Sequence, residues 1–369
     1  MKKILHMTPP IVNNGIYKYI FSNLKYIDKS KYEFSFLTQA KTDLEATEEY
    51  QKYGFKIHNF TTTQRENPEK FYQEIKDILS KDYDVLHLHT SFWRGFLIEE
   101  IAMEIGIPKV IVHSHSTNID IMNEQKRNKM YEEHLKFKDK FNVSCATDFW
   151  ACSQMAASWL FGEQIPKEKI RIMKNAIELE QYLYNEDYRC KYRKLLNLDG
   201  KFVIGNTCRF EYQKNHEFLI RVFALIYQKM SNAVLVLTAG GQNLSQIKKM
   251  VKEYGIEDRV IFLGWRNDIP MLLQAMDLYC LPSRFEGLSI AMIEAQAAGL
   301  PCIASLEISQ ETKVTEDVMF IEFDEEKWCK EILKVAEGYQ RKNTIHLMQE
   351  AGYDIKKQIK IIEKEYSEC

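Results

Sequence analysis

The run from Asp277 to Ser305, DLYCLPSRFEGLSIAMIEAQAAGLPCIAS, constrains this chain more than any other stretch. It predicts a strand over Asp277 to Leu281, a turn at Pro282 and Ser283, a helix from about Leu288 to Ala298, and a second strand over Cys302 to Ser305. Gly299 followed by Pro301 stops the helix, because glycine accepts a left-handed cap and proline cannot continue the hydrogen-bond ladder. The helix is apolar on almost every side, and such a helix belongs in an interior. It nevertheless carries Glu294, eight residues after Glu286.

A buried carboxylate costs free energy unless a partner meets it. Eight residues of helix rise about 12 Å, too far for an acid–base dyad and suited to two ends of an extended ligand such as a nucleotide sugar. Gly287, Leu288 and Ser289 lie between the two carboxylates, where the free N–H groups of a helix start favour an anion. Carboxylate, anion site, carboxylate is the polarity of sugar, diphosphate and ribose in sequence. The alternative for Glu294 is a structural partnership with an arginine or lysine.

Elsewhere the chain repeats strand, turn and helix. Lys3 to Thr8 reads as a buried strand, followed by the loop PPIVNNG and a helix with Tyr17, Ile20, Phe21 and Leu24 on one face. That is how a Rossmann-like unit begins, yet the full G-x-G-x-x-G fingerprint is absent, which argues against an NAD enzyme. Further strands are expected at Tyr32 to Leu37, Gly54 to Phe60, Val85 to His89, Lys109 to Val112, Phe149 to Ser153 and Ile170 to Met173. The D-Y-D triplet ending at Asp84 precedes its strand, so Asp82 and Asp84 read as a turn and not as a metal site. After Lys109 to Val112 come His113 and His115, at the strand's carboxyl end where open α/β sheets bind ligands. The two histidines are expected on opposite faces of the extended chain, one toward a cleft and the other packed. A helix over Met122 to Phe141 carries Lys126, Arg127, Lys129, Lys136, Lys138 and Lys140 diluted by acidic residues, and a solvated face is the expectation.

The second half opens with a strand at Lys201 to Cys208 that ends in Arg209 and Lys214, two cations able to neutralise charge on a departing diphosphate. Ala233 to Thr238, Arg259 to Leu263 and Val318 to Phe323 continue the pattern, and Ile355 to Tyr366 reads as an amphipathic helix. The 369 residues leave room for two domains. A net charge of −2 gives no sign of wholesale nucleic-acid binding. The eight cysteines include no C-x-x-C, and several (Cys208, Cys280 and Cys302) sit in apolar strands, as expected of free thiols in a reducing compartment. The apolar run after Lys2 and Lys3 is too short for a signal-peptide core, and no window approaches the ~18 apolar residues of a membrane span, so a cytoplasmic chain is expected.

The strand-Pro-Ser-x-Phe-Glu-Gly opening and the Glu-Ala-x-Ala-x-Gly-x-Pro close of the 277–305 run resemble the donor-binding signature of retaining glycosyltransferases, specifically glycosyltransferase family four. The resemblance implies α/β GT-B architecture, two Rossmann-like doubly wound domains facing across a cleft. It places an acceptor domain at 1–178, a donor domain at 179–350, and a last helix within 351–369 that returns to the first. It assigns Glu286 to the donor sugar, Glu294 to the ribose, and Arg209, Lys214 and the 287–289 helix start to the diphosphate. His115, preferred over His113, faces the donor sugar; Asn14-Gly15 borders donor phosphate and acceptor; main-chain groups around Arg266 meet the base. Partners would be a nucleotide-sugar donor, most simply a UDP-sugar, and a glycan or lipid-linked oligosaccharide acceptor of capsular or exopolysaccharide synthesis, with peripheral membrane contact, no cofactor and no metal. The alternatives are a nucleotide-sugar epimerase of the same architecture or a non-catalytic partner subunit.

Overall fold

The computed structural model describes residues 1–8, 14–39 and 44–368. The stretch Pro9 to Asn13 of the first loop lies outside them. The chain forms two compact units, the first of residues 1–119, 124–176 and 355–369, the second of residues 120–123 and 177–354. The change of unit at 176/177 falls beside the expected boundary, while residues 351–354 go with the second unit and the final helix, Ile355–Ser367, with the first.

The first unit holds strands β1 (Lys2–Met7), β2 (Tyr32–Gln39), β3 (Lys56–Phe60), β4 (Val85–Thr90), β5 (Lys109–Ser114), β6 (Asp148–Ala151) and β7 (Ile170–Ile172). They pair in the order β3-β2-β1-β4-β5-β6-β7, all parallel. β4 and β5 are buried almost end to end, as strands covered on both faces must be. The D-Y-D turn sets the entry of β4: Asp82 takes a left-handed φ of 56°, and Asp84 accepts from the Lys3 N–H at 2.7 Å. The final helix closes this unit from the other end of the sequence. Its Glu363 accepts from the Asp28 N–H at 2.8 Å, and its Tyr366 hydroxyl meets His87 Nδ1 at 2.7 Å inside the core. The basic helix, Glu124–Lys138, buries only Met130 and His134 among its described residues, so its charges are solvated as expected.

The second unit holds β8 (Phe202–Asn206), β9 (Ala233–Leu237), β10 (Val260–Phe262), β11 (Leu278–Leu281), β12 (Cys302–Ser305) and β13 (Val318–Ile321). Their order is β10-β9-β8-β11-β12-β13, again parallel. Strand order reverses between β8 and β11, and the carboxyl ends of two such strands are where a doubly wound sheet opens a binding crevice. The helix Ile290–Ala297 follows β11 with six of its eight residues buried, which accounts for its nearly uniform apolar surface.

Candidate active site

In the second unit, two loops at that switch point lock together. Residues 207–215 follow β8 and residues 282–289 follow β11. The Arg284 N–H donates to the Gln213 carbonyl at 2.7 Å, the Arg284 guanidinium to the Tyr212 carbonyl at 2.6 Å, and the Gln213 side-chain amide to the Phe285 carbonyl at 2.9 Å. A third loop packs beneath. The Phe210 N–H donates to the Gly240 carbonyl at 2.9 Å, and a Cβ at Gly241, where φ is 151°, would sit 2.5 Å from the Phe210 carbonyl oxygen. Only glycine allows that approach, so Gly241 fixes the height of the β8 loop.

This scaffold brings Lys214 and Glu286 together. Lys214 Nζ lies 2.5 Å from Glu286 Oε1, and the Gln213 amide donates to Glu286 Oε2 at 3.2 Å. Burial works against the Lys214 ammonium, but the neighbouring Cys208 and Glu286 more than offset it and hold its pKa above the ordinary lysine range. Burial also raises the Cys208 thiol, which keeps it neutral near pH 7. Arg209 stands at the same strand end, its guanidinium 3.8 Å from Glu211, whose carboxyl burial pushes upward. Asp120 joins this edge by accepting from the Gln213 N–H at 2.9 Å, and burial raises its carboxyl too.

Beyond Glu286 the chain turns through Gly287 and Leu288 to Ser289, the residue at the amino end of the helix. Ser289 makes no side-chain cap, and its hydroxyl, like that of Ser283, is buried with no hydrogen-bond partner among the described residues. Two buried hydroxyls without a partner among the described residues, at the amino end of a helix, form a donor-rich place that suits phosphate oxygens. Glu294, within the helix and buried, accepts from the Tyr182 hydroxyl at 2.5 Å. Burial first, and then the adjacent carboxylate, push the Tyr182 phenol well above its usual range, so it stays a donor. Sequence patterns gave no hint of Tyr182 or Gln213. Tyr182 lies in a segment that reads as a linker, and only the fold brings it to Glu294.

Arg266 follows β10, and its guanidinium is bound bidentately to Asp268 at 2.8 and 2.5 Å, with the Tyr192 hydroxyl also on Asp268 at 2.7 Å. The side chain is thus committed to its own turn, which leaves main-chain groups for any ligand contact there. In the first unit Gly15 opens the helix Gly15–Tyr26, capped by Asn14 through the Tyr17 N–H at 2.7 Å, with open space where a Cβ would stand.

The two histidines at the carboxyl end of β5 correct one expectation. His113 and His115 share a face, their ring centroids 4.1 Å apart, because residues two apart in an extended chain project to the same side. His113 is fully buried, whereas His115 is half-buried and packs against Tyr19 and His89. Burial pushes the His115 imidazole down to about 3, so it is neutral near pH 7.

The chain is similar to known glycosyltransferases. Residues 189–346 match the family described as glycosyl transferases group 1. A Bacillus subtilis (strain 168) protein named as a glycosyltransferase, EpsF, is 27% identical over 84% of this chain and 80% of its own length. The Escherichia coli UDP-Gal:alpha-D-GlcNAc-diphosphoundecaprenol alpha-1,3-galactosyltransferase is 29% identical over 62% of this chain and 59% of its own. Among solved structures, Anabaena Alr3699/HepE in complex with UDP and glucose superposes with a TM-score of 0.78 at 18% identity, covering all of both chains.

Proposed function

We propose that this chain, whose residues 189–346 match the glycosyl transferases group 1 family, is a GT-B glycosyltransferase of the family-four type, a retaining hexosyltransferase that takes its sugar from a nucleotide diphosphate, UDP in the first instance. The observation that carries this reading is the Lys214–Glu286 pair beside the donor-rich start of the helix Ile290–Ala297. Positive charge and carboxylate meet there at the switch point of a doubly wound sheet, where a diphosphate and the hydroxyls of its sugar would each find a counterpart. Arg209 and Lys214 neutralise charge growing on the departing diphosphate, and the helix start holds its oxygens. Glu286 accepts from sugar hydroxyls, Glu294 from the ribose, and the turn around Arg266 meets the base through its main chain. The neutral imidazole of His115 is assigned to the donor sugar, and Gly15 to the loop bordering the acceptor.

The bond from the anomeric carbon to the diphosphate breaks as the acceptor oxygen attacks from the same face, and the acceptor proton passes to the leaving phosphate. Protein cations stabilise that charge, so the reaction as proposed runs without a metal. The acceptor is a glycan, in this reading a lipid-linked oligosaccharide at the cytoplasmic face of a membrane, built toward a capsular or extracellular polysaccharide. The named relatives support this choice: the E. coli galactosyltransferase acts on a diphosphoundecaprenol-linked sugar. No helix among the described residues is long and apolar enough to cross a membrane.

A donor screen tests the reading. The purified chain is held with UDP-, GDP- and dTDP-sugars, and thermal shift, slow hydrolysis and the anomeric configuration of the product are measured. Stabilisation by one UDP-sugar, lost in Glu294→Ala, with release of an α-configured product from an α-configured donor, is the expected result. Absence of any shift with nucleotide sugars and with UDP would sink it; release of a free epimer without an acceptor would turn it to the epimerase.

A further inference from the structure

Outside the donor loops, the first unit gathers five histidines at one end of its sheet: His6 on β1, His87 and His89 on β4, His113 on β5 and His115 just beyond it. The parallel register sets His6 beside His87 and His89 beside His113, and the two-residue period stacks all five on one face. Nitrogens of His89, His113 and His115 lie within 4.8 Å of one another, one from each ring. His6 Nδ1 is 3.0 Å from His89 Nε2, and His89 Nδ1 is 2.9 Å from His115 Nε2. His87 Nε2 is 3.2 Å from His113 Nδ1, and His87 Nδ1 is 2.7 Å from the Tyr366 hydroxyl.

A chain of neutral imidazoles satisfies most of these contacts through N–H···N bonds. It leaves one nitrogen over: His113 Nε2 is fully buried and has no partner among the described residues. An orphaned buried ring nitrogen costs about as much as a lost hydrogen bond, which calls for a reason. We propose that His89, His113 and His115 form a three-imidazole site for a divalent first-row transition ion. His89 would ligate through Nδ1, His115 through Nε2 and His113 through its orphaned Nε2.

The tautomers required by that assignment are the ones the surrounding contacts can supply. His89 Nε2–H donates to His6 Nδ1, His113 Nδ1–H donates to His87 Nε2, and His87 Nδ1–H donates to the Tyr366 hydroxyl oxygen. His89 and His113 then each have their second nitrogen held by an outer partner, the arrangement that orients imidazoles on metals. His115 is the half-buried member, so the ion has an entry side and a coordination position left for solvent. Metal–nitrogen bonds of about 2.1 Å across the 2.9 Å between His89 Nδ1 and His115 Nε2 subtend roughly a right angle. That suits square-planar or octahedral ions such as Ni²⁺ or Cu²⁺ better than tetrahedral Zn²⁺, and an all-nitrogen set is a poor host for Mg²⁺. The site shares His115 with the donor-sugar contact proposed above, but its test reads metal binding and does not depend on that activity.

The untagged full-length chain, stripped with chelator, is titrated with Ni²⁺, Cu²⁺ and Mg²⁺ by calorimetry. Nitrogen couplings in the Cu²⁺ electron paramagnetic resonance spectrum are then counted. One Ni²⁺ or Cu²⁺ per chain at micromolar affinity or better, about three imidazole nitrogens, a rise in Tm of several degrees with saturating ion, and no Mg²⁺ binding are expected. His113→Gln should weaken binding at least about tenfold, while His58→Gln/His346→Gln, which removes imidazoles outside the cluster, should leave it unchanged. If His113→Gln fails to fold, the nitrogen count on the unaltered chain decides. Sub-stoichiometric binding, fewer than two imidazole nitrogens, or loss of binding in the His58/His346 variant would overturn the proposal.

Discussion

Replacing Lys214 by methionine isolates the central charge pair of the donor loops. The two side chains are 15% and 7% exposed, so neither solvent nor salt screens them appreciably. Methionine keeps the stem's packing but takes the ammonium away from the buried Glu286 carboxylate, which still accepts from the Gln213 amide at 3.2 Å. Removing one partner of a buried pair costs about 3–5 kcal/mol, mostly through the stranded charge. The retained amide places this case near the lower end, at about 3 kcal/mol, or a fall in Tm of about 6–12 °C for a unit of this size. The cost arises from the stranded carboxylate, so adding Glu286→Gln to Lys214→Met should recover more than half of it. Denaturant unfolding of the wild type, both singles and the double completes the cycle. If Lys214→Met and the double variant were equally destabilised, burial of an unpaired charge would be the wrong account and a packing defect the right one. Turnover should fall about 100-fold in Lys214→Met and stay low in the double, because the leaving diphosphate has lost a cation in both.

Three further outcomes follow from other parts of the molecule. Tyr182→Phe removes a proton aimed at Glu294 Oε1; a hydrogen bond to a charged group is worth about 1.5–3 kcal/mol, so donor affinity should drop about tenfold in a nucleotide-binding titration, and unchanged affinity would detach Glu294 from the ribose. Gly241→Ala forces a side chain against the Phe210 carbonyl at a left-handed φ, and should cost about 1–3 kcal/mol of stability together with most donor binding; a neutral result would mean the β8 loop height is set elsewhere. Glu99, buried in the helix Leu97–Ile105, has its carboxyl raised by desolvation to about 8. The folded form therefore keeps a proton that the unfolded chain releases near pH 4.5. Stability from this group is complete below pH 4.5 and is lost as pH climbs toward 8. Melting curves from pH 5 to 9 should fall away from those of Glu99→Gln as pH rises, and parallel curves would refute the shift.

The sheets were legible in the sequence because parallel strands are buried on both faces and read as short apolar runs between turns. Observed ends differ from the expected ones by about two residues at most, the usual uncertainty of an element's edge. The helix Glu186–Leu195 escaped the same reading. It is held by arginines, not by an apolar stripe: Arg189 reaches Asp277 at 2.6 Å, and Arg193 reaches Asp277 and the carbonyls of Ala275, Leu198 and Lys201. Periodicity cannot see a helix whose anchors are charged. The histidines were visible singly but not as a cluster, because their association depends on which strands become neighbours. β1, β4 and β5 lie side by side only after the crossover connections are made, and that topology brings His6 and His89 within hydrogen-bond distance across 83 residues.

The partner of Glu294 shows what a motif leaves unsaid. Sequence offered a choice between a ligand-facing carboxylate and one neutralised by an arginine or lysine. One residue that meets it is a phenol whose pKa is driven upward by burial and by the carboxylate itself. A guanidinium or ammonium would cancel the charge and weaken the carboxylate as an acceptor. A phenol donates one proton and leaves the charge in place, so Glu294 is fixed in position while remaining a strong acceptor for the paired hydroxyls of a ribose. The same logic separates the two glutamates. Glu286, paired with Lys214, can exchange its cation for a diphosphate that needs one. Glu294 accepts from a neutral donor, which is why Tyr182→Phe should act on affinity and Lys214→Met on turnover.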